Sequence, residues 1–70
     1  METDKSLLIE FGLRVQNRRK ELGISQEELA FRAGFHRTYI GMIERAERNI
    51  TLSNLKKLAD ALQIQIKDLF

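Results

Sequence analysis

The sequence predicts an all-α fold of five short helices around one core. Three observations carry that prediction. No segment alternates apolar and polar residues with period two, so no strand is needed. Apolar residues recur instead at helical spacing in successive short stretches. Between the stretches stand residues that start and stop helices, Ser25 and Thr51 as candidate N-caps and Gly23 and Gly34 as candidate ends, and the chain has no proline.

The first helix is predicted from about Lys5 or Ser6 to Glu21. Phe11, Val15, Arg19 and Leu22 fall on its inner face, and Gly23 stops it. The second helix covers about 26–33. Ser25 followed by Glu28 reads as a capping box, the Ser taking a backbone N–H and the Glu reaching back. Leu29 and Ala30 give this helix an apolar edge. Gly34 stands where the chain must turn sharply, a place that needs positive φ. The third helix covers about 37–45, with His36 as an N-cap or surface residue and Ile40 and Ile43 on the buried side. Small Ala30, turning Gly34 and apolar Ile40 and Ile43 have the spacing at which two helices pack steeply, as in a helix-turn-helix. The outward face of the third helix then carries Arg37, Thr38, Tyr39 and Met42, side chains able to reach base edges in a major groove. After the linker AERNI, Thr51 caps a fourth helix over about 52–62. Its apolar stripe is Leu52, Leu55, Leu58, Ala59 and Leu62. A short fifth helix over about 66–70 presents Ile66, Leu69 and Phe70.

Seventy residues make one domain over 1–70, near the lower size limit for a single hydrophobic core. With no cysteine and one histidine, neither a disulfide framework nor a metal site with the usual ligand sets is expected. There is no nucleophile–base pair and no Gly-rich phosphate loop, so the expectation is a binding protein without a cofactor rather than an enzyme. No apolar run approaches about 20 residues, so no membrane span is expected. The polar, acidic start METDKS does not resemble a signal peptide, and a cytoplasmic location follows. The net charge is only +2. Residues 1–35 carry six basic and six acidic groups and residues 36–70 six basic and four acidic, so the excess lies from the third helix onward. Arg14, Arg18, Lys20 and Arg32 read as a solvated basic scatter paired locally with Glu10, Glu21 and Glu28.

The strings RRKELGISQEELA, AGFHRTYIGMIER and LKKLADAL resemble the Cro and lambda-repressor-like helix-turn-helix family, over nearly the whole chain from about Phe11 to Leu69. Within it, HRTYIGMIERAERN is similar to the controller proteins of restriction–modification systems, small dimers that bind operators and regulate their own operon. The resemblance implies a compact five-helix lambda-repressor-like domain that binds double-stranded operator DNA as a homodimer. It implies that Gln26 touches a phosphate and that Arg37 and Thr38 begin the recognition surface. Tyr39 could pack on a thymine methyl or sugar, or sideways on its own domain. Met42 would face the groove, and Arg48 and Asn49 would approach the DNA just past the third helix; in a dimer, Arg45 at the end of that helix is also expected near phosphate or base edges. Arg19 and Glu44 are implied to pair structurally, tying the first helix to the third. Gly41 and Met42 depart from the larger or more polar groove residues of many relatives. Gln63 stands where a capping Gly is common, and Gln65 where Ser or Thr usually caps the fifth helix.

The terminal hydrophobics suggest a dimer interface of Ile50, Ile66, Leu69 and Phe70, although Phe70 could instead fill its own core. No small-molecule effector is expected, because so short a domain leaves no room for a sensing module. The alternative reading is a protein-binding helix-turn-helix module, an antitoxin or adaptor. An operon partner encoding a toxin would favour it; a methyltransferase or endonuclease neighbour would favour the controller.

Overall fold

The computed structural model describes residues 4–70. The first half of the METDKS stretch therefore lies outside the described residues. Four α-helices follow in order: α1 Lys5–Glu21, α2 Gln26–Ala33, α3 Arg37–Glu44 and α4 Leu52–Ala61. The expected fifth helix is not α-helical. Ile66–Leu69 forms a single 3₁₀ turn. The turn is held by i→i+3 bonds, the Asp68 N–H to the Gln65 carbonyl at 3.0 Å and the Phe70 N–H to the Lys67 carbonyl at 3.3 Å, a pattern that suits short helical pieces. Gln65 caps that turn in a reciprocal box with Asp68, whose carboxylate accepts the Gln65 N–H at 2.9 Å.

The starts of the helices follow side-chain chemistry. The Asp4 carboxylate accepts the Ser6 N–H at 3.0 Å, Ser25 Oγ accepts from Glu28 at 3.0 Å, and Thr51 Oγ1 accepts from Asn54 at 3.1 Å. Only half of the expected capping box at Ser25 forms. The Glu28 carboxylate turns along α2 instead and accepts from Arg32 Nε at 2.9 Å, a stronger charge-assisted partner than a neutral amide. Arg14–Glu10 and Arg18–Glu21 pair locally as expected, at 2.8 and 3.5 Å.

All four helices end alike. A residue in the left-handed region turns the chain, its N–H bonds back three residues, and the next N–H bonds back five, as in Ile24 to Arg19 O at 3.2 Å and Phe35 to Ala30 O at 2.8 Å. The turning residues are Gly23, Gly34, Ala46 and Gln63, with φ of 70°, 75°, 61° and 60°.

The core gathers Phe11 and Val15 from α1, Leu29 and Ala30 from α2, Ile40 and Ile43 from α3, Leu55, Leu58 and Ala59 from α4, and Leu62 just beyond it. Leu69 of the 3₁₀ turn completes it at 1% exposure, so this expected interface residue belongs to the monomer core. Ile66 is half-buried against the same cluster. Leu52 departs from the expected α4 stripe and stands 76% exposed, because the stripe is covered only from Leu55 onward. Gly12 allows α1 to lie directly on the end of α3: a Cβ there would meet the Ile43 and Glu44 carbonyl oxygens at 2.6 and 2.8 Å. Lys5 Nζ donates to the carbonyl of Ala46 beside that crossing. Among the described residues, no helix is long and apolar enough to cross a membrane, and no cluster of His, Asp or Glu could hold a metal ion.

Candidate nucleic-acid interface

The helix-turn-helix is built on α2 and α3, with Gly34 making the turn between them. Ile40 and Ile43 seat α3 in the core at 0% and 1% exposure, which turns Arg37 and Thr38 outward. His36 holds the N-cap position in extended backbone, without a side-chain capping bond. Arg37, Thr38, Gly41 and Arg45 line an open cleft of 250 Å³ together with Gln26 at the start of α2. Among the described residues, the Arg37 and Thr38 side chains make no hydrogen bond, so their donors are available to a ligand. Met42 is half-buried.

Behind this cleft lies a buried polar cluster. The Glu44 side chain is 2% exposed and that of Arg19 12%. Arg19 Nε donates to Glu44 Oε2 at 2.7 Å and Arg19 Nη2 to Oε1 at 3.2 Å, a bidentate pair. Arg19 Nη1 also donates to the Ile24 carbonyl at 2.9 Å. Gln26 Nε2 donates to Glu44 Oε1 at 3.0 Å. The cluster ties α1, the start of α2 and the end of α3 into one unit, as expected for Arg19 and Glu44. The bond from Gln26 was not foreseen. It commits one amide donor inward, while the residue remains at the edge of the cleft.

Tyr39 packs on its own domain rather than pointing freely outward. Its ring meets Phe35 edge-on, with centroids 5.0 Å apart. Its hydroxyl accepts from Asn54 Nδ2 at 3.2 Å, linking α3 to α4. The Arg48 guanidinium stands 5.8 Å from the centre of the ring. Tyr39 thus supports Arg48, an arrangement that the spacing along α3 cannot reveal because Asn54 is 15 residues away.

Arg45 follows α3 and pairs with Glu47. Nε and Nη2 donate to the carboxylate at 3.0 and 3.1 Å. Hydrogen bonding to Glu47 holds the Arg45 guanidinium above its ordinary pKa, and the bond from Arg45 holds the Glu47 carboxyl below the usual carboxylate range.

Asn49 lies apart from the cleft. It borders an apolar groove of 330 Å³ whose walls include Leu7, Ile50, Leu52 and Phe70. Phe70 is 52% exposed and stacks on Phe11, with centroids 5.4 Å apart and planes 13° from parallel. The structure therefore brings together Gln26, Arg37, Thr38 and Arg45, pairs Tyr39 with Arg48, and places Asn49 and Ile50 at a second surface.

The helix-turn-helix family model matches residues 15–69. The chain is 50% identical over 60 residues to control protein C.BamHI of Bacillus amyloliquefaciens, covering 84% of this chain and 74% of that one. The crystal structure of the restriction-modification controller protein C.AhdI from Aeromonas hydrophila superposes with a TM-score of 0.88 at 48% identity, over 90% of this chain and 96% of that one. The controller protein C.Esp1396I, solved as a tetramer in complex with its natural 35 base-pair operator, superposes with a TM-score of 0.80 at 32% identity, over 90% of this chain and 93% of that one.

Proposed function

This chain belongs to the helix-turn-helix family, and from that membership we propose that it is a sequence-specific DNA-binding transcription regulator of the restriction–modification controller type. The observation that carries the reading is the exposed face of α3. Arg37 and Thr38 stand there without intramolecular partners among the described residues, beside Arg45 and the start of α2. Charged and hydroxyl donors on an outward helix are what reading base edges in a major groove requires. The α2 N-terminus adds backbone N–H groups suited to a phosphate. The similarity to control proteins supports a regulator of its own operon over an antitoxin or adaptor.

The protein works as a homodimer on this reading. Two copies of α3 enter successive major grooves about 34 Å apart. The interface is the apolar groove around Leu7, Ile50, Leu52 and Phe70, with Leu69 supporting it from the core. Activity is binding rather than catalysis, it needs no cofactor or effector, and it takes place in the cytoplasm, where operator DNA lies.

Selection of bound duplexes from random DNA, followed by fluorescence anisotropy, tests the reading. The expected operator is a palindrome. Arg37→Ala should weaken binding and relax preference at one base pair per half-site, by about 1–3 kcal/mol for a bidentate contact. Binding should also fall by about 10³–10⁵ between 50 and 200 mM salt if roughly 6–10 phosphates are neutralised by the two copies. A flat salt titration with no selected sequence would reject the proposal and favour a protein-binding module.

A further inference from the structure

The Arg45 guanidinium rests on Gly41, so close that a Cβ at that position would stand 3.0 Å from Nη1. Its Nε and Nη2 both donate to Glu47. That pairing uses the side edge of the planar guanidinium. The end edge, Nη1 together with the second hydrogen of Nη2, keeps two parallel donors. Two donors in that arrangement match O6 and N7 of a guanine. The residue borders the same cleft as Arg37, Thr38 and Gln26.

From this geometry we infer that Glu47 is a positioning residue for sequence reading: it holds Arg45 on its Gly41 seat as a base-reading fork and trades indiscriminate phosphate attraction for discrimination between bases. The inference rests on the DNA-binding reading above. Charge distinguishes it from a plain phosphate contact. An arginine that only neutralised phosphate would be weakened by a carboxylate beside it, because attraction to the DNA backbone scales with the positive charge offered. An arginine that reads a base benefits, since a long side chain fixed in advance loses less rotamer freedom on binding. Folding does not account for the pair. Its side chains are 58% and 50% exposed, and exposed pairs contribute little to stability. The mutual hydrogen bonds favour the charged form of each partner, so the pair stays ionised at neutral pH.

The test compares the parent with Glu47→Ala, Arg45→Ala, Gly41→Ala and the Arg45→Ala/Glu47→Ala double variant. Affinity is measured for the selected operator, each single-base change of it and an unrelated duplex, with circular dichroism melts alongside. Glu47→Ala should bind the unrelated duplex at least as tightly as the parent while losing about tenfold in discrimination at one base pair per half-site. Arg45→Ala and Gly41→Ala should lose preference at that same base pair, and the double variant should lose no more than Arg45→Ala alone. If Glu47→Ala tightens every duplex equally and leaves the preference profile intact, Glu47 is only a repulsive charge and the inference fails. It also fails if Glu47→Ala and Arg45→Ala act at different base pairs. A parent with no sequence preference would overturn the DNA-binding reading as well, which separates the two failures.

Discussion

Glu44 is the residue on which the site most depends, although it faces away from the proposed DNA surface. Its carboxylate takes three donors, two from Arg19 and one from Gln26, in nearly complete burial. Removing it leaves the Arg19 charge inside the fold with only the Ile24 carbonyl. Breaking a buried pair from one side costs about 3–5 kcal/mol. That is a large share of the roughly 5–15 kcal/mol total of a small domain. Glu44→Ala should therefore lower the midpoint of urea unfolding steeply, with DNA binding lost in step with the folded fraction. A variant that unfolds like the parent yet fails to bind would place Glu44 on the DNA-contacting side. Arg37→Ala should behave oppositely, with binding lost and melting unchanged, because its side chain makes no hydrogen bond or ion pair among the described residues. Tyr39 stands between these cases: its hydroxyl and ring are engaged within the domain, and Arg48 stands over its ring.

At the scale of elements, the helix ends control how the recognition helix is held. Each α-helix closes through one left-handed residue, but two of the four positions lack glycine. Ala46 ends α3 with its methyl group buried at 3% exposure, so the strain there is compensated by packing. Gln63 ends α4 on the surface and has no such compensation. A side chain in the left-handed region costs about 1–2 kcal/mol. Glycine returns part of that gain as unfolded-state entropy, about 0.4–1 kcal/mol. Gln63→Gly should thus stabilise the domain by up to about 1 kcal/mol, or about 4–8 °C in Tm for a chain of this size. A scanning calorimeter would register it, and an unchanged or lower Tm would mean that the Gln63 side chain contributes more than its backbone strain removes. The 3₁₀ turn beyond Gln63 acts on the core instead, delivering Leu69 into it and leaving Phe70 against Phe11.

For the whole molecule, the α3 cleft and the apolar groove are separate surfaces, and in the proposed dimer the second would set the spacing of the first. The cleft on α3 is polar, whereas the groove bordered by Ile50, Leu52 and Phe70 is apolar and open. Burying one such side chain stabilises an interface by about 1.5–3 kcal/mol, and two-fold symmetry counts each contact twice. Leu52 is the discriminating position, since it is exposed and contributes nothing to the core. Leu52→Asp should give a monomer that folds and melts cooperatively, read by sedimentation alongside circular dichroism. Its affinity for a palindromic operator should fall much further than its affinity for an isolated half-site. A folded Leu52→Asp variant that still sediments as a dimer would move the interface away from this groove.

The helices, their starts and the paired surface charges were legible because they are encoded within about four residues: Ser25 and Thr51 cap the helices that begin after them, Gly23 and Gly34 stop the helices before them, and Arg14 pairs with Glu10. Helical spacing likewise sent Ile40 and Ile43 inward and Arg37 outward. Periodicity cannot state which neighbour covers a given face. Leu52 and Leu55 share a stripe, yet the fold covers only Leu55. Leu69 and Phe70 are adjacent, yet one enters the core and the other remains half outside. Gly12 and Gly41 look like ordinary weak points in helices until the backbone of α3 and the Arg45 side chain are seen where a methyl group would have to go. The left-handed turns at Ala46 and Gln63 are not encoded by their own side chains, neither of which favours that conformation; for Gln63 the pointer was the family resemblance, which puts a capping Gly at that position. Residue order and spacing were enough to specify a helix-turn-helix domain whose third helix turns Arg37 and Thr38 outward. Which of its polar side chains hold one another and which stay unpartnered among the described residues was settled by the packed fold, because that choice depends on contacts between residues distant in the chain.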